Sequence, residues 1–170
     1  HGDCLGDHGL SQKWSMYDVV TRVPLIVWAP QRFRGGRSVD DLVQLFDLGP
    51  TILDLAGVTS PADMEAQSLL PALTDVAYTP RQQVFCEQAG DMVMTGADFI
   101  TMVREKRWKL VHLLGCDEGQ LFDLEADPDE MHNLWDDPAH AAEKARLKDV
   151  LLEWLVASNF QTRDRMAAFR

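Results

Sequence analysis

A length of 170 residues is enough for one ordinary domain, or for one domain and a small appendage. The 46% hydrophobic and 25% charged content is that of a folded soluble protein, and without repeats, Gly/Ser tracts or a collagen-like period the fibrous and low-complexity classes drop out. A net charge of −11, from 27 acidic and 16 basic residues, weighs against nucleic acid or an anionic membrane as partner, since both require clustered Lys and Arg; an anionic substrate stays open, because one or two local cations can override the global field.

The chain opens His1-Gly2-Asp3, with neither a methionine nor the basic and apolar regions of a secretory leader, as expected of a fragment or processed chain. Nothing in it names a compartment. Residues 1–16 are polar and carry Gly2, Gly6 and Gly9, which predicts a sharply bending loop. Residues 23–29 are a continuous apolar run, with Pro24 near its start and Pro30 closing it. The run is too short to cross a bilayer and reads as a strand buried on both faces, the kind a parallel α/β sheet supplies. A basic, glycine-containing turn follows at 32–37, then a further short strand at 39–43. Residues 47–57 predict a short helix with Asp47 as cap, Pro50 in the first turn and Gly57 at the left-handed C′ position. Leu48, Ile52 and Leu55 fall on one face of it. The loop-rich, proline-containing stretch 59–80 is the expected boundary, dividing the chain into residues 1–78 and 79–170.

Beyond it the texture changes. Residues 84–89, 99–104, 108–113 and 120–124 are four short segments rich in strand formers. Glu105-Lys106-Arg107 makes a tight turn between the middle two, so an antiparallel meander is predicted. Asp137-Pro138 starts a final helix, with Asp as N-cap and Pro at the first position. Its apolar stripe of Leu147, Leu151, Trp154 and Leu155 ends at Ser158 and should cover one face of the small sheet. The tail 161–170 is polar and expected to be loosely held. Cys4, Cys86 and Cys116 are odd in number, far apart and outside any CxxC pattern, and are expected as reduced thiols.

Chemistry concentrates at the start. His1, Asp3, Asp7 and His8 fall within eight positions and Lys13 follows. Imidazole and carboxylate suit divalent metals, and glycines let ligands crowd around an ion. The same spacing also describes a solvated turn, and a lone Lys13 an ordinary surface cation. The wider pattern shifts that balance. His1-Gly2-Asp3-Cys4-Leu5-Gly6-Asp7-His8-Gly9-Leu10-Ser11-Gln12-Lys13, with Tyr17-Asp18 and Thr21-Arg22-Val23-Pro24-Leu25-Ile26, resembles the sulfatase family of the alkaline phosphatase superfamily. That family runs Ser-Asp-His-Gly, Leu-Gly-(Glu/Asp)-His-Gly, a Lys, then Arg-Val-Pro-Leu. Asp47-Leu48-Gly49-Pro50-Thr51-Ile52-Leu53-Asp54-Leu55-Ala56-Gly57 is similar to its Asp-Leu-x-Pro-Thr-Leu-Leu-Asp-Leu-Ala-Gly. Gln120-Leu121-Phe122-Asp123-Leu124, with Asp127-Pro128-Asp129-Glu130 and Asn133-Leu134, is similar to its Glu-Leu-Tyr-Asp-Leu, Asp-Pro-x-Glu and Asn-Leu.

The resemblance implies an α/β fold: residues 1–78 as the C-terminal part of an alkaline-phosphatase-like mixed sheet, bearing the metal and sulfate loop, and 79–170 as a small four-stranded antiparallel sheet packed by the C-terminal helix. It implies His1 as a ligand of the active-site divalent cation, usually Ca2+, and Lys13 as a contact to the sulfate group. His8 lies in the matching segment, as a second substrate contact or as a packing residue. Asp3 and Asp7 read as turn formers, Arg22 as loop support, Trp108 and Trp154 as core aromatics, and His112, His132 and His140 as structural or exposed. The family's nucleophile is a formylglycine made in a Cys/Ser-x-Pro-x-Arg motif. Cys4, Cys86 and Cys116 are followed by Leu-Gly-Asp, Glu-Gln-Ala and Asp-Glu-Gly, so that group is expected upstream, on a missing N-terminal part of the same protein. The implied activity is hydrolysis of sulfate esters, of a small molecule or a glycan, by the full-length protein, with the isolated chain inactive. A phosphonate monoester or phosphodiester hydrolase of the same superfamily shares the loop, metal and lysine; a non-catalytic domain is the third reading. Within this chain, specificity would enter through the turns at 88–98 and 114–119.

Overall fold

The computed structural model describes residues 1–61, 64–74, 76–89 and 96–167. Two compact units emerge, one of His1–Leu25 with Phe85–Trp154 and one of Ile26–Val84 with Leu155–Arg170, so each draws on both sides of position 78. Among the described residues no helix is long and apolar enough to cross a membrane.

The first unit is built on a four-stranded sheet, β1 Val84–Ala89, β2 Phe99–Arg104, β3 Trp108–Leu114 and β4 Gly119–Asp123, in the order β1-β2-β3-β4. The β2–β3 and β3–β4 pairs are antiparallel, as the 105–107 turn predicts. Register sorts the side chains. Met102 opposes Val111, and Lys109 opposes both Arg104 and Phe122, so these share one face; Val103, Leu110 and Leu121 share the other. The first face packs Met16 of the opening segment into a core with Ile100, Met102 and Val111. The other receives the final helix.

That helix, α4, runs Ala141–Ala167 behind a 3-10 turn at Pro138–His140, whose first N–H groups are capped as expected: the Asp137 carboxylate accepts from Ala139 N at 2.9 Å. Leu147 and Leu151 are buried, and Trp154 stacks on Phe85 of β1 with ring centroids 4.4 Å apart. The helix runs on through the polar tail to Ala167. No Gly or Pro follows Pro138, and Ala, Gln, Arg and Met are good helix formers.

Gly119 is required by close packing, because a Cβ there would sit 2.4–2.6 Å from carbons of the Trp135 ring. That ring is itself held under the ammonium groups of Lys144 and Lys148, at 4.7 and 4.6 Å. Gly119→Ala is therefore expected to lower stability by about 1–3 kcal/mol through overpacking, read as a fall in the thermal midpoint.

In the second unit, α2 covers Leu48–Leu55 and α3 Leu70–Leu73. The C-terminus of α2 follows expectation. Gly57 takes φ 71°, Val58 N donates to Leu53 O at 2.9 Å and Gly57 N to Asp54 O at 3.1 Å, a Schellman motif. The N-terminus differs. Asp47 already has helical backbone angles, at the end of the 3-10 turn Leu45–Asp47, so its carboxylate accepts from the N–H of Gln44 (2.8 Å) and of Gln67 (2.8 Å) and pairs with Arg81 rather than capping α2. The buried face differs too: Pro50 and Thr51 are inside, while Ile52 is exposed.

Residues 23–29 form no strand, and neither do 39–43. Ile26 and Trp28 are 86% and 84% exposed. A strand buried on both faces takes its hydrogen bonds from neighbours, and among the described residues no other strand pairs with this run.

Candidate active-site loop

Residues 2–20 fold back on themselves along three backbone bonds: Gly2 N to Val20 O (2.8 Å), Cys4 N to Gln12 O (3.3 Å) and Gly6 N to Leu10 O (2.8 Å). At the tip Leu5, Gly6, His8 and Gly9 all have positive φ, which bends the chain within five residues. Two of these are not glycine, and that left-handed geometry costs about 1–2 kcal/mol each. Asp3 supports the bend by accepting from Leu5 N at 3.1 Å, the turn-forming role expected of it. Cys4 is buried beneath the loop with its Sγ 3.7 Å from Ser15 Oγ, and all three cysteines are free thiols.

The loop's far stem is bolted to the sheet. Lys109, the second residue of β3, is fully buried, and its ammonium donates to Met16 O at 2.8 Å, Asp18 Oδ1 at 2.6 Å and Glu130 Oε1 at 2.6 Å. Glu130 also accepts from Asp18 N, and Arg104 holds the other side of Asp18 at 3.2 Å. Burial alone would raise the Asp18 carboxyl; Lys109 and Arg104 outweigh it and hold the group below its ordinary value. Tyr17 packs beside this cluster, 5.9 Å from the Phe122 ring and bonded to Gln120 at 2.9 Å, and burial pushes its phenol up.

The His8 ring lies flat on Tyr17, centroids 3.6 Å apart and 1° from parallel, which ties the loop tip to the stem. Lys13 is exposed beside the Cys4–Gln12 rung, and among the described residues its ammonium has no ion-pair partner. His1 is exposed, with Nδ1 3.1 Å from Gly2 O; in the tautomer that donates there, Nε2 carries the lone pair and is the nitrogen able to take a metal. That donor fits a divalent cation, and it is one ligand where calcium takes six to eight oxygens. Among the described residues no three His, Cys, Asp or Glu side chains group as a metal site. His140 sits 3.0 Å from Asp137 and His132 is exposed. The 88–98 turn falls largely outside the described residues.

The fold and loop together define the class. The chain superposes with TM-score 0.80 and 29% identity on a structure in complex with its substrate D-glucosamine-2-N,6-O-disulfate, covering 94% of this chain and 32% of that one. It superposes with TM-score 0.77 and 33% identity on a phosphonate monoester hydrolase of Silicibacter pomeroyi, covering 90% and 32%. The architecture is thus the C-terminal part of an alkaline-phosphatase-like α/β fold with an antiparallel meander and its packing helix. Residues 6–156 match the family model described as N-sulphoglucosamine sulphohydrolase, C-terminal. The chain belongs to the sulfatase family, as its C-terminal portion. An N-acetylglucosamine-6-O-sulfatase of Bacteroides thetaiotaomicron is 31% identical over 156 residues, 89% of this chain and 28% of that protein. The chain spans about a third of the length of the relatives it matches.

Proposed function

We propose that this chain completes an enzyme that hydrolyses sulfate esters, with a sulfated amino sugar as the substrate class. The observation that carries the reading is the opening loop, a sharply bent segment that offers an imidazole at His1 and, at Lys13, an ammonium without an ion-pair partner among the described residues. Lys13 binds the sulfate oxygens as a point charge and offsets the negative charge that grows as the S–O bond breaks. His1 contributes one ligand to a divalent cation, calcium in this reading, which when bound supplies a Lewis acid to the same oxygens. His8, clamped on Tyr17, fixes the tip and stands as a second contact to substrate. The nucleophile, a formylglycine in this reading, and the remaining metal ligands belong to the N-terminal part of the protein. Support for the substrate class is the similarity to the N-acetylglucosamine-6-O-sulfatase and to the structure holding a glucosamine disulfate.

The similarity to a phosphonate monoester hydrolase favours one second reading, in which the same loop serves a phosphonate ester. The test is to express the chain with the polypeptide that precedes it and to compare glucosamine 6-O-sulfate, an aryl sulfate and an aryl phosphonate monoester. Sulfate turnover should exceed phosphonate turnover, and the isolated 170 residues should turn over neither. Preference for the phosphonate ester would install the second reading. Inactivity of the longer protein on all three would leave a non-catalytic domain.

A further inference from the structure

We propose that Lys109, Glu130 and Asp18 are positioning residues: a buried ion cluster on the small sheet sets the loop that carries His1 and Lys13. The proposal rests on the hydrolase reading above only for what the loop then does. Lys109 reaches back 91 residues to Asp18 and is wholly withdrawn from water. Its three acceptors come from two places far apart in sequence, the loop stem and the segment after β4. Glu130 takes φ 55°, a left-handed conformation for a residue with a side chain, which persists only where the surroundings over-determine it. One carboxylate oxygen of Glu130 faces Lys109 and the other accepts the Asp18 N–H. Asp18 is the first residue of α1, Asp18–Thr21.

From there the constraint passes straight to His1. Gly2 N bonds Val20 O at 2.8 Å, and a Cβ at Gly2 would lie 2.0 Å from Val19 O, so the backbone beside His1 is pressed onto α1 with no space between. On the other strand of the loop Met16, whose carbonyl binds Lys109, stands three residues after Lys13. A displacement of the stem therefore moves both site residues together. For stability alone, apolar residues of the same volume serve as well or better than a buried ion cluster. What the cluster adds is direction, since each bond fixes an angle as well as a distance.

Glu130→Gln in the full-length, metal-loaded protein separates positioning from stability. Glutamine replaces one of the two carboxylate oxygens with an NH2 donor, so one of the positions that face Lys109 Nζ and Asp18 N then sets a donor against a donor. Leu147→Ala, in the helix that covers the opposite face of the sheet, is the control for general destabilisation. Two readouts are taken: hydrogen exchange at the Gly2 and Gly6 amides, and kcat against KM with a sulfate ester. Glu130→Gln should speed that exchange and lower kcat by about tenfold or more with little change in KM, as misplacement of reacting groups does; Leu147→Ala should leave kcat at the wild-type level and speed exchange at Gly2 and Gly6 no more than at the amides of the sheet. Unchanged exchange in Glu130→Gln, or equal acceleration in both variants, overturns the proposal whatever the activity. Faster exchange with wild-type kcat overturns its link to catalysis. If the unsubstituted protein hydrolyses none of the esters, the hydrolase reading fails, and the exchange data still decide whether the cluster sets the loop.

Discussion

Lys109→Met should destabilise the protein by about 3–5 kcal/mol, the cost typical of removing one partner from a buried ion pair. Methionine fills nearly the same space, so the loss is not a cavity effect. What remains is the Glu130 carboxylate, buried with one neutral N–H partner, and Asp18, left to Arg104 alone. Against a total stability of about 5–15 kcal/mol for a domain, that is a large share. Denaturant midpoints for the two proteins, with equal slopes, measure it. The pH dependence supplies a second check. The folded Asp18 sits below its ordinary value of 3.8, so its contribution is fully present above that value and is lost as pH falls through the lower folded one. Without Lys109 the depression shrinks. The gap between wild type and variant should thus be widest at neutral pH and narrow in acid below about pH 4. A gap under 1 kcal/mol at pH 7 would mean that the cluster does not hold the stem.

Much of the small sheet was legible because its signals are local. Strand formers alternate with turn residues at short intervals, and the β2 and β3 limits read from them agree with the structure to within a residue. Asp137-Pro138 and Gly57 carry their cap chemistry in the residue type itself. The Lys109 cluster was hidden for the opposite reason. A lysine within a strand reads as a solvent-facing position, and its partners lie 91 and 21 residues away, joined only by register and by the packing of the stem. A hint existed: Lys109 sits between Trp108 and Leu110-Val111, in a run whose neighbours on both sides are apolar. The 23–29 run failed differently. Its apolarity is a demand for burial, and the sheet that would satisfy such a demand is not built by the described residues. Asp47 shows a third case. Helix caps are assigned by residue type, yet here the backbone enters helical angles one turn earlier, and the carboxylate is taken by Arg81 and the amides of Gln44 and Gln67. For the loop, motif resemblance named His1, His8 and Lys13, and geometry then separated them, with His8 stacked on Tyr17 and the other two exposed.

That separation makes Lys13 the sharpest test of the proposed chemistry. In the full-length protein, Lys13→Ala is expected to lower kcat/KM for a sulfate ester by about 10²–10³-fold, the loss typical of removing one preorganised group from developing negative charge. Stability should hardly move, because an exposed side chain without an ion-pair partner among the described residues contributes within about 0.5 kcal/mol. The two measurements pull apart here, whereas a residue that merely supported the loop would move both. The split between constants is informative too. If Lys13 meets charge that grows only as the S–O bond breaks, kcat carries the loss; if it grips the ground-state sulfate equally well, KM carries it. Arginine at this position keeps the charge but spreads it over a planar fork, so Lys13→Arg should recover part of the activity and not all of it. A Lys13→Ala enzyme within threefold of wild type in kcat/KM would return Lys13 to the ranks of surface cations, and the anion-binding role of the loop would fall with it.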